Sequence, residues 1–180
     1  MEVNMRNLKF VLIIIFILSF SLTAYGSKMK PTEEEVFLES FLTELYTFNN
    51  NDLQNLYFYK FMYPYDKFSL NLRNYMTEKK FEDFSNQNLY YDFITSSYYN
   101  GFNSSIYYIN IKPLRKNITA NSYAYVATVE LLYPHKNKKE VYNVTGEISI
   151  SRINDVYKIT NLNKIIFPYA GFSNVVSKLV

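Results

Sequence analysis

The sequence predicts an α+β domain in which N-terminal helices pack on one face of a curved antiparallel sheet of four or more strands. Three observations carry this. Apolar residues recur at helical spacing as far as about residue 88, and from Ser105 the period drops to two. The stretch VTGEISISRINDVYKITNLN, Val144 to Asn163, alternates apolar and polar residues, breaks at Asn154-Asp155 and partly resumes, as a tight hairpin does. Helices first and a meander second place the helices on one side of the sheet.

The first 26 residues stand outside that fold. Arg6 and Lys9 precede an apolar run from Phe10 to Leu22, and Ala24 and Gly26 offer the small-x-small exit that a signal peptidase cuts. The run falls short of the roughly 20 residues of a membrane span. The segment therefore reads as an export signal cleaved after Gly26, and the alternative is an anchor formed by residues 8–22. A membrane is expected only through this segment, if it stays attached. Residues 27–180 then form a single domain, with helices over about 32–88 and the sheet over about 105–167. A chain of this size, 48% hydrophobic, can bury one core without help.

Pro31-Thr32-Glu33-Glu34-Glu35 is a helix start, with Thr32 as cap, Glu35 reaching back to it, and carboxylates at the positive end of the helix dipole. Phe37, Leu38, Phe41, Leu42, Leu45 and Phe48 form the apolar stripe, and Asn49-Asn50-Asn51 ends it. Asp52 opens a second, shorter helix to about Met62, with Leu53, Leu56, Tyr57 and Phe61 on one side and Pro64 as the stop. Thr77-Glu78 opens a third, with Phe81 and Phe84 inward, reaching about Asn88.

Tyr107, Ile109 and Ile111 are expected on one face of the first strand, which Pro113 closes. Tyr125, Ala127, Val129, Leu131 and Tyr133 line the second, across from Thr128 and Glu130. Tyr142, Val144, Ile148 and Ile150 line the third, opposed by Thr145, Glu147, Ser149 and Ser151, so one face is dry and the other wet. Tyr157 and Ile159 continue the dry face into a fourth strand, where the alternation slips at Asn161-Leu162 through a bulge.

This order, with the ending VTGEISISRINDVYKITNL, resembles the nuclear transport factor two-like fold over roughly Thr32 to Phe167, in the small exported bacterial form found in conjugation-channel proteins. The resemblance implies a cone with an apolar pocket between helices and sheet. It implies no single function, since the fold hosts enzymes as well as binding and assembly modules.

The sequence offers little chemistry. It has no Cys, which removes disulfides, a thiolate nucleophile and a lipid-modified cysteine. The one His, His135, sits in the loop PHKNKKE and cannot alone build a zinc site. With 4 Gly there is no phosphate cradle, and no hydrolase or metalloprotease motif occurs. No cofactor and no metal are expected, and no catalytic residue can be assigned. Asp92, beside Tyr90 and Tyr91, reads as an exposed loop carboxylate. The net charge is +3, and the basic residues fall into two groups, Arg115 with Lys116 and Lys136 with Lys138 and Lys139, which a meander holds at opposite ends of the sheet. Nucleic acid is therefore not an expected partner, because it needs a contiguous basic patch.

The most distinctive segment is NLYYDFITSSYYNGF, Asn88 to Phe102, read as an irregular connection. Adjacent aromatics in an extended chain face opposite sides, so one of Tyr90 and Tyr91, and one of Tyr98 and Tyr99, should be exposed unless the segment is helical. These four tyrosines are the candidate partner-binding or pocket residues, and the plainer reading is that Tyr90, Phe93 and Tyr98 plug the open end of the core. The expected function is a noncatalytic extracytoplasmic binding or assembly module of the cell envelope with a protein partner. The alternative is a small-ligand-binding or enzymatic cone.

Overall fold

The computed structural model describes residues 30–52, 67–87, 89–116 and 120–168. The segment expected to direct export and most of the predicted second helix, beyond Asp52, lie outside these residues. One compact unit begins at Thr32 and holds every element that follows.

Helix α1 runs Glu33–Tyr46, α2 Lys67–Arg73, α3 Glu78–Asn86 and α4 Leu89–Asn100. Strands β1 (Asn103–Lys116), β2 (Asn121–Tyr133), β3 (Lys138–Ile153) and β4 (Val156–Asn163) follow. They form one four-stranded antiparallel meander in the order β1-β2-β3-β4. The domain is thus α+β as the sequence predicts, with an open sheet.

The predicted cap of α1 is present in full. Thr32 Oγ1 accepts from the Glu35 amide at 3.2 Å, and the Thr32 amide donates to Glu35 Oε2 at 2.8 Å. Leu38, Phe41, Leu42 and Leu45 of α1 are fully buried against Tyr125, Ala127, Val129 and Leu131 of β2 and Val144, Ile148 and Ile150 of β3 in one core. The helices lie on one sheet face only. Phe48 follows the helix rather than ending it, and its backbone bridges Ser104 at the start of β1. At the other edge the Tyr75–Thr77 connection pairs with β4 through Ile159, whose amide donates to the Tyr75 carbonyl at 2.8 Å.

Four sequence expectations need correction. The segment Asn88 to Phe102 is not irregular, because Leu89–Asn100 is a helix. Tyr90, Phe93, Ile94 and Ser97 are its buried side, spaced as one helical face. The stripe is disguised because its last member is polar. Ser97 is accommodated in the core by donating to the Phe102 carbonyl and by the Asn50 amide nitrogen, which donates to the Ser97 carbonyl at 2.8 Å. Tyr107 leaves the face of Ile109 and Ile111, because the register with β2 shifts between Ile106 and Tyr108. Pro113 does not close β1, which continues to Lys116; β1 is an edge strand, where a missing amide donor is tolerated. Finally, α2 was not foreseen. The turn between β3 and β4 does form at Asn154 and Asp155, with φ of 50° and 62°. The β4 slip falls at Thr160, one residue before the expected place, between the Ile150–Ile159 and Ser149–Asn161 pairs.

Candidate functional site

The four sequence candidates divide between core and surface. Tyr90 is buried, with its ring 5.7 Å from that of Phe84 and 5.9 Å from that of Phe167. Tyr98 is half-buried and meets Tyr99 edge-on at 5.3 Å. Tyr91 and Tyr99 face solvent, at 49% and 71% exposure. One member of each pair is therefore outward, although a helix and not an extended chain puts it there. Asp92 is exposed in the first turn of α4. His135 is exposed in a single 3-10 turn joining β2 to β3.

On the helix-facing side, one acid is buried. Glu140 Oε2 accepts from the Tyr142 hydroxyl at 2.6 Å and from the Tyr133 hydroxyl at 3.2 Å, while Lys138 Nζ reaches Glu140 Oε1 at 2.7 Å. The three β3 residues alternate onto one face, and Tyr133 sits opposite Lys138. Such a carboxylate costs a great deal to bury unless it is paired and hydrogen-bonded, and here it is both. Glu140 was missed because it reads as loop. Carrying the alternation of Val144 and Tyr142 back by two residues would have turned it inward.

Deeper in the core, the Tyr46 hydroxyl donates to the Ile166 carbonyl at 2.9 Å, so Tyr125, whose hydroxyl lies 2.9 Å from it, is the donor of their shared bond. Burial pushes both phenols above the usual tyrosine range, and at Tyr46 the neighbouring Tyr125 adds to the effect. Near the start of β2, Tyr123 donates to Glu34 of α1, and burial with that bond holds its phenol above the usual tyrosine range as well. Among the described residues every buried side-chain nitrogen and oxygen has a hydrogen-bond partner, and no three metal-ligating side chains converge. The interior polar groups are already committed to one another.

The opposite sheet face is different. In a bulge, two residues oppose one and the strand bends. Tyr107 is the extra residue between the Ile106–Val129 and Tyr108–Thr128 pairs, so two consecutive tyrosines stand in solvent, at 79% and 53% exposure. With Thr128, Glu130, Lys139 and Val141 they line a cleft of about 320 Å³. Its exposed lining is mostly apolar, and its two charged groups balance. Lys139 pairs with Glu130 across the β2–β3 ladder, and Thr128 Oγ1 donates to Asn143 Oδ1 at 3.0 Å. Sequence reasoning missed this pair because strict alternation sends Tyr107 inward, and β1 carries no glycine to mark a bulge. Of the basic groups at the sheet ends, Lys116 lies opposite Asn121 at one end of β2 and Lys138 opposite Tyr133 at the other, on the helix side, while Lys139 stands in the cleft and is neutralised by Glu130.

Comparison with protein-family models, with curated proteins and with solved structures finds no match to this chain. Among the described residues no helix is long and apolar enough to cross a membrane.

Proposed function

We propose that this chain is a noncatalytic, extracytoplasmic binding or assembly module of the cell envelope, built on a nuclear transport factor two-like cone, and that it binds through the open sheet face at Tyr107 and Tyr108. The observation that carries this reading is the bulge that turns both rings to solvent on the face without helices. Tyrosine offers a large amphipathic contact with little side-chain entropy to lose, which is why recognition surfaces use it. The basic, apolar and small-residue order of residues 5–26 supports an address outside the cytoplasm. A second reading, a cone that binds a small ligand or performs catalysis, is favoured by one feature, the buried Glu140 between two tyrosine hydroxyls.

Photo-crosslinking distinguishes them. A benzophenone amino acid at position 107 or 108, in the chain expressed in its own host, should capture an envelope component, whereas the same group at exposed Leu114 on the outer part of β1 should not. Equal capture at all three positions, or none at any, defeats the proposal.

A further inference from the structure

Resting on that reading of the sheet face, we infer that its ligand is an uncharged glycan chain, held by stacking of sugar rings on Tyr107 and Tyr108. A pyranose presents a flat array of C–H groups on each side and hydroxyls around its rim. It therefore needs an exposed aromatic plane beside short polar groups. Tyr107 and Tyr108 supply the plane. Thr128 supplies the rim contact, since its hydroxyl donates to Asn143 Oδ1 at 3.0 Å and keeps its own oxygen to accept from a sugar hydroxyl. The cleft of about 320 Å³ lies at the small end of the roughly 300–1,000 Å³ typical of ligand sites, and it lies on an open sheet face. That shape suits a short run of a polymer lying across the strands.

Charge decides against an anionic polymer. The cleft holds one cation and one carboxylate, Lys139 and Glu130, and they pair with each other. An acidic chain would have to break that pair and meet a bare Glu130. The same ion pair argues against a protein partner, because Lys and Glu are depleted from the centres of protein interfaces. Strand addition to β1 is opposed as well, since the bulge at Tyr107 and the proline at position 113 interrupt its ladder.

The test is calorimetric titration of the purified full chain with chitohexaose, cellohexaose and maltohexaose as neutral probes and polygalacturonate as the acidic one. At least one neutral hexasaccharide should bind saturably and polygalacturonate should not. Tyr107→Ala and Tyr108→Ala should each weaken that binding by about tenfold, the effect of losing one well-placed aromatic contact. Tyr107→Phe should retain it, and Tyr99→Ala on α4 should leave it unchanged, with urea titration verifying that each variant is folded. No binding of any neutral hexasaccharide, preference for polygalacturonate, or binding indifferent to Tyr107→Ala overturns the inference. Crosslinking at position 107 to a protein, or to a second copy of the chain, without sugar binding also overturns it and leaves the binding-face reading standing.

Discussion

Replacing Gly146 by alanine should destabilise the domain by about 2–4 kcal/mol, a large effect for one methyl group. Gly146 lies on β3 directly across from Tyr125 of β2. A Cβ built there would meet the Tyr125 ring at 2.5 Å from Cε1 and 2.8 Å from Cζ, and its hydroxyl at 2.7 Å. A Cβ carbon does not sit within 3.0 Å of non-bonded atoms, so the ring must move. It is not free to do so. Its hydroxyl bonds to Tyr46, which in turn bonds to the Ile166 carbonyl, and the ring itself is 2% exposed within the core. Overpacking of a filled core costs about 1–3 kcal/mol. Losing the Tyr125–Tyr46 bond adds about 1 kcal/mol. Urea titration of Gly146→Ala gives the sum, and a double-mutant cycle with Tyr125→Leu isolates its cause: in the Leu background, the alanine should cost less than half as much. A cost near zero in the native background, or equal costs in both, would show that the ring and the missing side chain are not coupled.

Two further outcomes follow from the same framework. The phenols of Tyr46 and Tyr125 are held above their ordinary values by burial, so the folded state favours the protonated form; their stabilisation is complete below about pH 10, where unfolded tyrosine ionises, and declines above it by roughly 1.4 kcal/mol per pH unit for each, about 3 for the pair. Urea midpoints that stay level from about pH 9 to 11 would contradict this, and Tyr125→Phe should make the decline shallower. Thr32→Ala should cost about 1 kcal/mol in urea titration by opening the capping box with Glu35, and an unchanged midpoint would mean that the cap contributes nothing.

How much of this could be read from residues depends on whether the signal was local. The start of α1 was legible because Thr32 and Glu35 are three residues apart and need nothing else. The β3–β4 turn was legible because Asn154 and Asp155 are residues that accept a positive φ. The dry faces of β2 and β3 were legible because their alternation meets no break between Tyr125 and Tyr133 or between Tyr142 and Ile150, whereas Glu140, a charged residue in a run of lysines, hid the start of the β3 face. By contrast, α4 is made of Tyr, Phe, Ile, Thr and Ser, which favour strand or turn over helix, and its register depends on Ser97 being satisfied by Asn50 and Phe102 from elsewhere in the fold. The bulge at Tyr107 is likewise a tertiary event. Phe48 pairs with Ser104 while Ile106 pairs with Val129, and the strand must absorb an extra residue before Ile109 and Ile111 can pack against the core.

That last constraint bears on function. A tyrosine-rich chain without cysteine uses its hydroxyls as internal ties: Tyr123 to Glu34 joins β2 to α1, Tyr46 links Tyr125 to the chain beyond β4, and Tyr133 with Tyr142 secures Glu140 at the far hairpin. Each such tie joins a ring in the core to a polar partner, which contributes burial and a hydrogen bond together. Tyr107 and Tyr108 contribute neither to the core. A bulge is tolerated at an edge strand, but it needs no aromatic; Ser or Lys would hold the same backbone and keep the edge soluble. Two exposed rings at that point add nothing to the core, and contact with something outside the chain is the role proposed for them.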